Sequence, residues 1–207
     1  MILDAIAGGV LLASGAMFMM NRNHEAEYVQ ASSDGNSYLV RKAPDSKLAA
    51  EALAELNRRA QTLIRDLARR FPEDRRVQNL RARYSGGVLS EGGDEAGFTS
   101  YSVEKERIVM CLRHRDDGQA TDLAGGQAGA TAKPVLGALE DANTLMYVLL
   151  HEMAHLAVDE VGHTDLFWKT FLFLVEAAAG LGLYDTVDYR KKPVSYCGIK
   201  ISSSVGA

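Results

Sequence analysis

The sequence predicts an α+β fold, and three observations carry the prediction. Apolar residues recur at helical spacing in the segments 47–70, 145–158 and 164–179, they alternate with the period of a strand near residues 107–113, and Gly-rich or polar stretches punctuate the segments. With 207 residues the chain suits one ordinary domain and an appendage. Its 47% apolar and 24% charged residues are those of a chain that buries a core, which excludes a disordered protein. The net charge of −4 is uneven: Arg41 to Arg83 is basic, and the chain from Tyr84 onward is acidic.

Residues Ala5 to Met20 read AIAGGVLLASGAMFMM without a charge. As a helix this run covers about 24 Å, or about 30 Å with the first four residues, against a hydrocarbon core of about 30 Å. Residues 1–20 are therefore expected to be an N-terminal transmembrane helix. No basic residue precedes the run, and Ser14 with Ala16 makes a poor cleavage site, so a cleaved signal and a buried or amphipathic helix are the weaker readings. Asp4 lies before the run, and Arg22, Arg41 and Lys42 follow it. The positive-inside rule then predicts a single-pass membrane protein with its domain on the cytosolic side. Secretion after signal cleavage, or a virion membrane, is the alternative. Residues 21–37 read as a polar linker, and the folded domain is expected over 38–207.

Tyr38-Leu39-Val40 suits a short strand. Pro44-Asp45-Ser46 signals a helix start, and Leu48, Leu53, Leu56, Ala60, Leu63 and Leu67 predict an amphipathic helix from Lys47 to Arg70, ended by Pro72. A second helical piece is expected from Arg75 to Tyr84. Arg58, Arg59, Arg65, Arg69, Arg70, Arg75, Arg76, Arg81 and Arg83 form a basic stretch, interleaved with Glu51, Glu55, Asp66, Glu73 and Asp74. It reads first as a solvated helix face, and second as a surface for nucleic acid or phospholipid.

Ser85 to Gly97 is Gly-rich and expected to be loop. Thr99 to Val103 and Arg107 to Arg113 predict a hairpin around Glu104-Lys105-Glu106. His114 to Leu136 is loose and Gly- and Ala-rich, a long loop able to lie over a cleft. Cys111 and Cys197 have no C-x-x-C partner and are expected to be reduced and buried; a single disulfide is the alternative in an oxidising space.

The most informative stretch runs from Tyr147 to Phe171, YVLLHEMAHLAVDEVGHTDLFWKTF. His151 and His155 lie four residues apart on a predicted helix from Leu145 to Val158. Their rings are then about 40° apart around the axis and about 6 Å apart along it, close enough to share one zinc ion. Glu152 points to the side of that metal, where a general base would act on a zinc-bound water. His163 is the expected third ligand, because Gly162 can take the positive φ that turns the chain back, and Thr164 or Asp165 can cap the next helix. His114 is a weaker spare ligand.

HEMAH followed by GHTDLFW resembles the zincin metallopeptidases of the SprT, WLM and YgjP-like group, in which HExxH is followed by a further histidine and an aromatic on the next helix. The order of elements matches from Tyr38 to Tyr189, and the specific part is Asn143 to Phe171. The resemblance implies a zincin-like domain, a small mixed sheet with an active-site helix, with His151, His155 and His163 as ligands of one Zn2+ ion and Glu152 as catalytic base. Residues 156–162 separate the second and third histidines, a gap longer than in WLM and YgjP-like members and shorter than in SprT, so subfamily and substrate stay open. Thermolysin-like enzymes take a glutamate from the following helix instead, which makes Glu176 the alternative third ligand. By the same resemblance Ile108, Val109, Met110, Cys111 and Leu112 are expected as an edge strand that pairs with substrate, with an ordinary core strand as the alternative. One of Tyr184, Tyr189 and Tyr196 is expected to stabilise the oxyanion. The tail GLYDTVDYRKKPVSYCGIKI lies outside these motifs and is similar to tails of uncharacterised HExxH proteins of large DNA viruses and algae.

The expected function is zinc-dependent hydrolysis of a peptide bond in a protein or peptide substrate. A catalytically silent, zinc-stabilised protein of a membrane or virion assembly is the alternative.

Overall fold

The structure, a computed structural model, describes residues 26–85, 87–92, 100–103, 105–115 and 134–206. Its first unit is a hairpin: β1 (Ala26–Gln30) pairs antiparallel with β2 (Ser37–Arg41). The connecting turn closes because Asp34 accepts a bond from the Asn36 N–H at 2.9 Å and Gly35 takes a φ of 72°. Residues 26–37 are thus a strand and its turn, where the sequence suggested a tether. Their composition is polar because one face of the hairpin is open, and Tyr28 is 75% exposed.

Helix α1 (Ser46–Arg70) buries Leu53, Leu56, Ala60, Leu63 and Leu67, the predicted apolar stripe. Helix α2 (Arg75–Arg83) starts where Asp74 accepts from the Arg76 N–H. Three short strands follow, β3 (Leu89–Glu91), β4 (Tyr101–Val103) and β5 (Arg107–Met110), in a mixed sheet of order β3-β5-β4. This corrects the edge-strand expectation for residues 108–112. β5 lies between a parallel β3 and an antiparallel β4, Ile108, Met110, Cys111 and Leu112 are buried, and the outer strand on that side is β4. Alternation showed a strand but could not show its neighbours.

β6 (Arg113–Arg115) pairs with β7 (Pro134–Leu139). Helix α3 (Ala142–Ala157) is held at its start by Asp141, which accepts from the Thr144 N–H at 2.8 Å. Helix α4 (Asp165–Gly180) and the hairpin of β8 (Val194–Tyr196) and β9 (Ile199–Ile201) complete the described chain. α3 carries apolar residues on every side and is buried accordingly, packed against α1, α2, α4 and the sheet. It is the centre of the core.

Two further ties cross the sheet. Arg113, 3% exposed, pairs with Asp45 and with Glu91, whose carboxylate also accepts from the Arg41 N–H at 2.7 Å. Cys111 and Cys197 form a disulfide across 86 residues, which corrects the expectation of reduced thiols. The hairpin of β8 and β9 brings them together: Tyr196 donates to the Cys111 carbonyl at 2.8 Å, and the Cys197 N–H donates to Glu140 at 2.8 Å. Burial was anticipated correctly. Proximity over so long a separation is a tertiary fact that spacing does not report.

Among the described residues no helix is long and apolar enough to cross a membrane. The expectation of a single-pass membrane protein with a cytosolic domain is corrected accordingly. The longest helix, α1, is amphipathic and carries charges along its length, so it belongs to the domain surface and core. The run from Ala5 to Met20 that suggested the anchor lies outside the described residues, as does most of the loop from His114 to Leu136.

Candidate metal centre

His151 and His155 project from one face of α3, with ring centroids 5.1 Å apart. The helix ends at Ala157 because the chain is redirected there. Gly162 takes a φ of 84°, and His163 follows directly before Thr164, whose hydroxyl caps α4 by accepting from the Phe167 N–H at 3.2 Å. The third ring then lies 4.9 Å from His151 and 5.0 Å from His155.

One nitrogen from each ring falls within 4.8 Å of the others, and the Nε2 atoms of His151 and His163 are 3.1 Å apart. Donors at about 2.0–2.1 Å from a tetrahedral ion stand about 3.3–3.4 Å from one another. The observed pair needs only a small adjustment to reach that spacing. His151 and His155 are half-buried and His163 is exposed, so one side of the triangle faces solvent. A closed structural site would need a fourth protein donor, and among the described residues the metal-competent cluster contains these three alone.

Burial pushes the His151 imidazole down to about 3, helped by repulsion from His155 and His163. His155 is lowered to about 4 by burial, by His163 and by the Lys105 ammonium. Both rings are therefore neutral donors across the physiological range, the form that a metal requires. Phe167 and Phe171, fully buried on α4, back them: Phe167 lies 4.3 Å from His155 and 4.9 Å from His151, and Phe171 lies 5.2 Å from His151. Trp168, half-exposed, covers His163 at 5.5 Å.

Glu152 is 4% exposed. Burial raises its carboxyl to about 7, and the nearby polar groups of Ser102 hold it from rising further. The segment that carries the third histidine is fastened from α2. Arg83 donates to the Leu156 carbonyl at 2.8 Å and the Val158 carbonyl at 3.1 Å, and its guanidinium pairs with Asp159. Asn79 donates to the Ala157 carbonyl at 2.8 Å. These are carbonyls that a helix C-terminus leaves without partners, and cations suit the negative end of its dipole.

The other expected site residues lie elsewhere. Glu176 lines a small cavity with Asp66 and Arg70, away from the histidines, and is outside the metal-competent cluster. His114 sits 3.6 Å from Glu140. Tyr184, Tyr189 and Tyr196 are 3%, 1% and 1% exposed. Tyr184 stacks on Tyr147, Tyr189 packs against it with its ring tilted, and the Tyr196 hydroxyl serves the tie to Cys111 and Ser100, so these phenols are packed within the core. Much of the arginine stretch is occupied locally: Arg58 and Arg59 pair with Glu55, Arg69 and Arg70 with Asp66, and Arg76 with Asp74. Sequence reasoning passed over Ser102, Asn79 and Lys105 as site residues. A serine in a short strand and a lysine in a turn carry no motif, so only their position in space marks them.

No family model matches the chain, and no solved structure matches it. An uncharacterised protein of Acanthamoeba polyphaga mimivirus is 32% identical over 186 residues, 87% of this chain and 85% of that one. Uncharacterised proteins of Invertebrate iridescent virus 6 and Invertebrate iridescent virus 3 are 32% identical over 98 residues and 41% identical over 102 residues. The iridescent virus matches span 47% and 48% of this chain, and 46% and 50% of the respective relatives. With identity at that level along most of both chains, this protein belongs to the family of the mimivirus protein.

Proposed function

We propose that the protein is a zinc-dependent peptidase of zincin type, with His151, His155 and His163 as ligands of one zinc ion and Glu152 as general base. The observation that carries the reading is the convergence of three imidazole nitrogen donors, open on one side, beside a buried carboxylate. A zinc ion supplies a Lewis acid for the carbonyl and lowers the pKa of a coordinated water toward about 7. Glu152, poised near 7, is suited both to accept a proton at neutral pH and to return it to the departing amine. The return matters because an amine anion is a very poor leaving group. β4, the outer strand of its sheet among the described residues and in contact with α3, takes the substrate-pairing role that the sequence suggested for β5.

The test combines metal analysis with cleavage of unfolded casein by the wild type and Glu152→Gln. One zinc per chain is expected in both, with hydrolysis reduced by about 10²–10⁴-fold in the variant. Equal turnover would remove Glu152 from the base role. Zinc in both without cleavage by either would favour a zinc-stabilised structural protein.

A further inference from the structure

The turn between β4 and β5 places Lys105 at a φ of 58°, a left-handed conformation that side chains other than glycine, Asn and Asp seldom adopt. The strained residue reaches across to the active-site helix. Its Nζ donates to the Val158 carbonyl and, at 2.9 Å, to the Glu160 carbonyl. Glu160 in turn accepts from the Thr164 hydroxyl, and Thr164 caps α4. His163 lies inside this bracket. The strand that leads into this turn, β4, packs against α3, the helix that carries His151, Glu152 and His155.

We infer that the β4–β5 hairpin is a positioning element for the third metal ligand, with Lys105 gripping the segment that carries His163. The inference rests on the zinc reading above. Arg83 and Asn79 fasten the start of that segment, around residues 156–159, from α2. Lys105 is the cation that reaches Glu160, past the last carbonyl held from α2, and ties the segment to the sheet. Without it, residues 160–163 lose a tie to the sheet that comes from outside their two flanking helices. The third donor would then have to be ordered by the metal, at a cost to affinity.

The experiment measures the zinc dissociation constant by chelator competition for full-length wild type, Lys105→Met, Lys105→Arg and Ser102→Ala. Lys105 is partly exposed, so its replacement leaves the core intact. Lys105→Met is expected to bind zinc about 10–100-fold more weakly, the range typical for partners that orient metal ligands, and Lys105→Arg to recover most of the loss. Ser102→Ala, a change on the same hairpin away from the Lys105 contact, is expected to keep wild-type zinc affinity. A second readout uses no metal: amide hydrogen exchange at residues 158–163 of the metal-free protein accelerates in Lys105→Met while α1 is unchanged. Zinc affinity and exchange in Lys105→Met equal to wild type would overturn the inference while leaving the metal site standing. Failure of the wild type to bind zinc at all would overturn the metal site and the inference with it.

Discussion

Around Arg113 a guanidinium that is 3% exposed meets two carboxylates, Asp45 and Glu91; around His151 three imidazoles meet one another, and none pairs with a carboxylate among the described residues. The first cluster pairs opposite charges directly, and its positions tie the start of α1, β3 and β6 together. The second differs, since two of its donors, His151 and His155, are held neutral by burial and the triangle of rings faces solvent on one side. Opposite charges paired with one another serve the fold, whereas converging nitrogen donors with an open side leave room for a ligand.

The sharpest way to break this comparison is to remove a donor from the open cluster. His163→Ala is expected to weaken zinc binding by more than about 100-fold, beyond the range seen when only a supporting residue is lost, and Glu176→Ala to leave it unchanged. Isothermal titration of both variants decides between the two candidate third ligands; full zinc affinity in His163→Ala would dissolve the contrast.

The next effect belongs to the sealed cluster. Arg113→Met strands Asp45 and Glu91 and is expected to cost about 3–5 kcal/mol of stability, read from urea unfolding, with no change in zinc stoichiometry. A loss of zinc without a loss of stability would reverse the roles assigned here.

The smallest effect is the pH dependence of the metal-free protein. The folded-state values of His151 and His155 lie below 6.5, so the unfolded chain binds more protons as the pH falls, and these two groups withdraw stability from about pH 6.5 down to about 3. Glu152 acts in the opposite direction. Its folded value near 7 lies above 4.5, so its burial costs most above pH 7 and nothing once both states are protonated. Two histidines outweigh one glutamate between pH 6.5 and 4.5, and the melting temperature of metal-free wild type is expected to fall across that interval. Replacing His151 and His155 together by Ala should flatten the fall, which differential scanning calorimetry would register.

Much of this was legible in the chain. The stripe of Leu53, Leu56, Ala60, Leu63 and Leu67 located α1, and the apolar surround of His151 located α3, because helical periodicity is a local property. The Gly162 turn is local too: its φ of 84° is a conformation for which a glycine is the ready choice. The HExxH spacing and a third histidine after that turn sufficed to name all three donors that the structure brings together. The strands were read less evenly: the hairpin of β4 and β5 was expected, but three-residue segments such as β3 and β8 carry too few alternations to show a period.

What sequence alone determined, then, is the helices and the donors on them, for the reason that residues three or four apart on a helix are neighbours whatever surrounds them. Tertiary structure decided which strand is outermost among the described residues, that Cys111 meets Cys197, and that Lys105 of the β4–β5 hairpin reaches the segment before His163. Each of these joins residues far apart along the chain, and such pairings depend on how the whole core packs rather than on any spacing within a segment.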